Sequence, residues 1–188
     1  MNGTVTLEHL EEVRRRSDCL HDAAAVRGAV ADMAGAINAA MEPKVDTLVM
    51  PIMNGGLVPA GWLLPLFDFP FELDYLHASR YRGETQGGQL QWLKPPAVGL
   101  EGRELLLIDD ILDEGVTLKL IVEACRQQGA ASVRTAVLAR KDHDRNVGFE
   151  ADFVGLEVED RYVFGCGMDY RNHFRQLPAI HALPDDML

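Results

Sequence analysis

A chain of 188 residues, 47% apolar and 25% charged, fits one ordinary globular domain with a core of its own and leaves no room for a long disordered region. Its 29 acidic against 18 basic side chains give a net charge of -11 without any Lys/Arg cluster, which argues against a nucleic-acid partner held by phosphate neutralisation. Cys19, Cys125 and Cys166 are odd in number and widely spaced, so they suit a reducing compartment and neither a disulfide framework nor a zinc site.

Thr6 followed by Leu7, Leu10 and Val13 predicts a capped amphipathic helix. Glu8, Glu11 and Glu12 stand where an export leader would be apolar, so a cytoplasmic protein is expected. No apolar run approaches the roughly 18 residues of a membrane span, and no membrane partner is expected. A second helical pattern runs over 22–41 until Pro43 stops it. A buried strand over 45–53, the turn Asn54-Gly55-Gly56 and an apolar helix over 57–67 make one α/β half-unit. Residues 71–79 alternate as a strand, 80–89 are polar and glycine-rich, and 90–93 are apolar again, a pattern of two strands joined by a mobile arm. The run Leu105-Leu106-Leu107-Ile108, within a strand over 103–109, is apolar on both faces as a central parallel strand requires. A helix over 116–128 ended by Gly129, a strand over 132–139 and shorter strands over 151–158 and 161–164 complete the alternation. The expected architecture is α/β, a mostly parallel central sheet flanked by helices. It divides into a helical lead-in over 1–43, a core over 44–140 and a C-terminal segment over 141–188, all within one domain.

Ligands of open α/β sheets sit beyond the carboxyl ends of the strands, which directs attention to Asp109-Asp110-Ile111-Leu112-Asp113-Glu114-Gly115-Val116-Thr117. The end of this segment opens a helix, where unpaired N–H groups, the helix dipole, a permissive Gly115 and the Thr117 hydroxyl can cradle a phosphate. Neither GxxxxGK[ST] nor GxGxxG occurs, so nucleoside triphosphate and dinucleotide binding are unsupported. Two adjacent carboxylates beside an anion are costly unless a diol or a cation lies between, which favours a sugar phosphate with a magnesium ion. The alternative is that Asp109, Asp110 and Asp113 are solvated acids leading a helix, with Asp113 as its N-cap.

The stretch LLLIDDILDEGVTL closely resembles the phosphoribosyl-pyrophosphate motif of type I phosphoribosyltransferases. Residues 138–178, LARKDHDRNVGFEADFVGLEVEDRYVFGCGMDYRNHFRQLP, resemble the C-terminal half of the hypoxanthine-guanine phosphoribosyltransferases, and MNGG at 53–56 resembles their pyrophosphate loop. The resemblance covers about 45–178 and implies that family's fold, with a small hood built from N- and C-terminal segments.

It further implies that Asp109 and Asp110 bind the ribose hydroxyls and magnesium, and that Asp113 accepts the proton from N7 of a purine. Glu114, Gly115, Val116 and Thr117 would hold the 5′-phosphate. Met53, Asn54 and Gly55, with a non-proline cis bond at Met53–Asn54, would hold pyrophosphate together with Arg175; otherwise 54–56 is an ordinary glycine turn. Lys141 would donate to the 6-oxo group, Tyr162 would stack on the ring, Val163 would offer its backbone carbonyl, and Asp169 would hold a second magnesium. The arm over 79–89 would close over the reacting centre. The implied activity is magnesium-dependent transfer of phosphoribose from 5-phosphoribosyl pyrophosphate to hypoxanthine or guanine in purine salvage, by a homodimer or homotetramer. A sugar-binding regulatory protein of the same fold, or an enzyme for another base such as xanthine, are the alternatives; together, Asp113, Lys141 and Asp169 favour catalysis.

Overall fold

The computed structural model describes residues 5–80 and 90–187. Helix α1 (Leu7–Arg16) starts at Thr6, whose hydroxyl accepts from the His9 amide, and strand β1 (Asp18–His21) follows it. Helix α2 (Ala23–Ala40) is capped by Asp22, which accepts from the amides of Ala24 and Ala25. Its face of Val26, Val30, Met33, Ala34 and Ile37 is buried against the sheet. Strand β2 (Thr47–Pro51), helix α3 (Leu57–Leu63) with a 3-10 turn behind it, and strand β3 (Glu72–Leu73) form the first parallel unit. An antiparallel pair, β4 (His77–Arg80) and β5 (Leu90–Lys94), stands apart from the main sheet. Then come β6 (Glu104–Leu112), α4 (Val116–Gln127), β7 (Ser132–Asp142) and β8 (Phe153–Glu159). The chain closes with the short strands β9 (Val163–Phe164) and β10 (Ile180–Ala182).

The central sheet has the order β3-β2-β6-β7-β8 and every pairing in it is parallel. Strand β6 lies in its middle, so Leu105 to Ile108 meet apolar neighbours on both faces: Leu106 and Ile108 face the α2 and α3 side, while Leu105 and Leu107 face α4. A second sheet, β1-β10-β9, is antiparallel and joins the two ends of the chain into the expected hood. Its core is Val13, Phe164, Tyr170, Leu177 and Leu183.

Several expected boundaries move. The strand over 71–79 is two strands, because Asp74 and Tyr75 leave the ladder where Asp74 binds Lys94 Nζ at 2.7 Å and the Ala97 amide at 2.6 Å. β6 runs on through the acidic pair to Leu112, since Ile111 and Leu112 keep register with Ala139 and Arg140 of β7. The strand expected over 45–53 shortens to Thr47–Pro51, and the helix over 57–67 tightens after Leu63 at Pro65. Of the arm expected over 79–89, residues 81–89 lie outside the described residues.

Asp74 anchors the foot of that β4–β5 pair. Burial raises its pKa, but the bonds from Lys94 and from the Ala97 and Tyr75 amides outweigh this and hold it below the usual carboxylate value. A depressed folded pKa means stability present above the unfolded value, about 3.9, and lost as pH falls through the folded value. Asp74→Asn is expected to cost about 1 to 3 kcal/mol in denaturant melts at pH 7, with the difference from wild type shrinking in acid.

Candidate active site

The carboxyl edge of the parallel sheet brings three loops together: 52–56 after β2, 113–115 after β6 and 165–175 after β9. Between β6 and α4, Gly115 is the helix N-cap at φ 82°, a conformation in which an added Cβ would also meet Phe149 Cβ at 3.2 Å. No side chain caps the helix, so its first amides face a cavity of about 320 Å³ lined by Asp109, Asp113, Glu114, Thr117 and their neighbours. Such an end binds anions. The capping role considered for Asp113 therefore belongs to Gly115, and the Asp113 side chain points away toward β7.

Asp109 and Asp110 follow one another on β6, the first lining the anion cavity. Each carboxylate accepts from the next backbone amide, Asp109 from Asp110 N at 3.0 Å and Asp110 from Ile111 N at 2.8 Å. Burial first, and the neighbouring negative charge of Asp110 second, push the Asp109 carboxyl well up. Burial also raises Asp110, against the pull of the Asp109 hydrogen bond and of Arg175, whose Nη1 lies 4.0 Å from Asp110 Oδ2. A carboxylate pair held at this cost suits a partner with positive charge or hydroxyl donors.

The Met53–Asn54 peptide is cis, as the resemblance implies. The loop turns so tightly that a Cβ on Gly55 would lie 2.0 Å from Asp110 Oδ2, which sets its backbone against the acidic pair. Gly167 closes the same contact from the other side, with its Cβ position 2.2 Å from the Gly55 carbonyl oxygen. Arg175 ties this junction together: Nη1 donates to Gly167 O at 2.7 Å and Nη2 pairs with Asp169 Oδ1 at 2.6 Å. Asp169 also accepts from Asn172 N at 2.7 Å. Cys166, Arg171, Asn172 and Phe174 all adopt positive φ in this loop, the kind of local strain that gathers at functional sites.

A second cavity of about 260 Å³ adjoins the first and shares Ile111 and Asp113 with it. Its other walls are Asp110, Lys141, Tyr162, Val163, Met168 and Asp169. Tyr162 is 39% exposed on its rim, its hydroxyl donating to Asp169 O at 3.1 Å, and Val163 is buried at the start of β9. Thus four residues singled out from the C-terminal segment, Lys141, Tyr162, Val163 and Asp169, line one cavity with Asp113, next to the anion cradle.

A model of the phosphoribosyl transferase domain matches residues 17–171. The hypoxanthine-guanine phosphoribosyltransferase of Bacillus subtilis is 36% identical over 137 residues, 72% of this chain and 76% of that protein. The one from Aquifex aeolicus is 30% identical over 161 residues, 85% of this chain and 90% of that protein. The chain belongs to the phosphoribosyltransferase family. Among solved structures, a hypoxanthine phosphoribosyltransferase from Staphylococcus aureus superposes with a TM-score of 0.85 at 25% identity, covering 98% of each chain. This phosphoribosyltransferase therefore has the fold expected for it, central sheet and hood included.

Three residues at the site of this phosphoribosyltransferase were not singled out from its sequence. His143 Nε2 lies 2.6 Å from Asp113 Oδ1, while Lys141 Nζ lies 3.0 Å from Asp113 Oδ2, so both oxygens of Asp113 are engaged. Arg145 pairs with Asp160 at 2.6 and 2.8 Å and approaches Asp113 Oδ1 at 4.0 Å. Ligand atoms of Asp113, His143 and Asp160 come within 4.8 Å of one another, but Lys141 and Arg145 already supply positive charge there, so hydrogen bonding accounts for the cluster. Burial raises the Asp113 pKa, and the bonds from Lys141 and His143 bring it below the usual value. Only the run Lys141-Asp142-His143 signalled this arrangement, an imidazole two residues beyond a lysine that faces the site.

Among the described residues, no helix is long and apolar enough to cross a membrane.

Proposed function

We propose that this phosphoribosyltransferase joins hypoxanthine or guanine to 5-phosphoribosyl pyrophosphate, giving IMP or GMP and pyrophosphate. The observation that carries the proposal is the joining of two cavities at Asp113, one headed by an open helix N-terminus and the other walled by Lys141 and Tyr162. The first suits the 5′-phosphate, on the amides of Glu114 to Thr117 and the Thr117 hydroxyl. The second suits a flat base, with Tyr162 against the ring, Lys141 donating to the 6-oxo group and the Val163 carbonyl accepting from the purine edge.

In the reaction the purine N9 lone pair forms the bond to the ribose C1′, and the C1′–oxygen bond breaks with its electron pair leaving on pyrophosphate. Positive charge builds on the ribose meanwhile, and the Asp109 and Asp110 carboxylates lie where they stabilise it. The N7 proton passes to Asp113, a general-base contribution of about 10² to 10⁴ in rate. Met53, Asn54 and Gly55 receive the leaving pyrophosphate on their backbone, with Arg175 beside them. For Lys141 to reach the base it must exchange Asp113 for the 6-oxo oxygen, since the ammonium now bonds Asp113.

Asp109, Asp110 and Asp169 offer the hard oxygen donors that magnesium prefers, and the raised pKa values of the first two fit a site completed by a cation. When bound, magnesium supplies positive charge that orients the pyrophosphate and eases its departure. Asp169 would hold a second ion, and to do so it would give up part of its pairing with Arg175. The working unit is a homodimer or homotetramer in the cytoplasm.

The test offers hypoxanthine, guanine, xanthine and adenine separately to purified protein with 5-phosphoribosyl pyrophosphate and magnesium. Hypoxanthine or guanine should turn over. Adenine places an amino donor against Lys141, which then finds no acceptor on the base and stays on Asp113, so adenine is expected to lose at least about a hundredfold in kcat/KM. Faster turnover of xanthine would reassign the base, and tight sugar binding without any turnover would point to the regulatory alternative.

A further inference from the structure

The most unusual contact of the site is made by a residue that lines neither cavity itself but bonds Asp113, which lines both. The His143 side chain is 4% exposed, and its two ring nitrogens have different partners. The Arg145 backbone amide donates to Nδ1 at 3.1 Å, which leaves that nitrogen without a proton. The ring is then the neutral tautomer carrying Nε2–H, and at 2.6 Å this donor points at Asp113 Oδ1. Lys141, on the other oxygen, is a flexible cation that the proposed reaction draws away toward the base.

We propose that His143 is the positioning residue of the general base: it pins Asp113 Oδ1 so that Oδ2, vacated by Lys141, is the oxygen that meets the purine N7 proton. This rests on the reaction proposed above. The Asp113 side chain is 44% exposed, and without His143 its carboxylate is free to swing toward water once Lys141 leaves. A one-bond hold of this kind fixes the plane of the carboxylate, and small misplacement of a reacting group is costly in rate.

The charged groups around Asp113 are Lys141 and Arg145 from β7 and its extension, Asp160 from the turn before β9, and Glu114 from its own loop. Asp110 and Asp169 share its second cavity. Arg145 draws Asp160 down to about 2, so Asp160 stays ionised across the working range. A hydrogen bond to a carboxylate favours the ionised form, so losing the His143 bond raises the pKa of Asp113. Turnover requires the ionised base and must then fail at a higher pH than in wild type.

The experiment compares wild type, His143→Ala and His143→Gln with hypoxanthine, 5-phosphoribosyl pyrophosphate and magnesium over pH 5 to 9. His143→Ala is expected to lose about ten- to a hundredfold in kcat, with KM for the sugar within about threefold and the acid limb of the kcat profile moved up in pH. His143→Gln places an amide donor where Nε2–H stood and should recover most of the rate. Wild-type turnover together with an unchanged kcat and acid limb in His143→Ala overturns the positioning role alone; absence of wild-type turnover overturns it and the proposed reaction together. Ring-nitrogen NMR of wild type gives an answer independent of how the variants fold. A neutral His143 protonated on Nε2 is expected, and one protonated on Nδ1 would sink the proposal.

Discussion

Asp113→Asn is expected to cut kcat at least about a hundredfold while KM for 5-phosphoribosyl pyrophosphate stays within about threefold. The amide is close in shape to the carboxylate and keeps an oxygen that accepts from His143 Nε2, 2.6 Å away in wild type. Its NH2 then faces Lys141 Nζ, two donors at the 3.0 Å separation where an ion pair stood. Lys141 turns toward Asp160, now 3.8 Å away, so the pocket stays filled and charged groups stay paired. What is lost is the acceptor for the N7 proton. Steady-state kinetics with hypoxanthine and nucleotide titration of the variant check both halves, and an unchanged kcat would remove Asp113 from the chemistry.

Gly167→Ala is expected to abolish turnover and to destabilise the fold by about 2 to 5 kcal/mol. Its φ of 108° is one that L side chains rarely adopt, and its Cβ would stand 2.2 Å from the Gly55 carbonyl oxygen and 3.0 Å from Asp110 Cβ. Both neighbours belong to the machinery proposed here, the pyrophosphate loop and the acidic pair, and neither is the free end of a flexible chain. Relief of the clash must therefore move the catalytic edge itself. Gly35→Ala in α2 is the control: nothing lies within 4 Å of its Cβ, and it should hold or slightly raise stability as helix propensity dictates. Thermal melts and turnover assays of the two variants separate them, and a Gly167→Ala protein as active as wild type would contradict the geometry.

The parts of the site legible in the sequence are those written locally. The doubly apolar run 105–108 announces a central strand, and the acids, glycine and hydroxyl that follow it within nine residues announce an anion site at its end. The C-terminal residues, by contrast, gained meaning only from the family pattern, because a lone lysine or tyrosine carries no sign of the cavity it lines. Strands β1 and β10, DCLH and IHA, went unseen because the first does not alternate, the second is only three residues long, and each exists only through pairing with a segment far along the chain. His143 was hidden for the same reason: its contact with Asp113 spans 30 positions and depends on β6 and β7 lying side by side. The junction of Gly55, Asp110 and Gly167 is likewise a matter of three loops meeting, and a single glycine looks the same in a turn as in a tight crossing.

The hood has a consequence for the order in which the protein is made. Strand β1 pairs with β10, and Arg161 reaches back to Asp18 at 2.7 Å, so residues near the start must wait for residues near 180 to be synthesised. At ribosomal speeds of about 5 to 20 residues per second this delay is on the order of ten to thirty seconds. The parallel sheet has all its strands once β8 has emerged, about 20 residues before β10, and has a few seconds at that speed to settle with the sugar-phosphate cradle already in place. The base pocket cannot, because β9 is held by β10. A nascent chain should thus acquire its grip on the sugar before its grip on the purine, and a released chain truncated before residue 180 would separate the two.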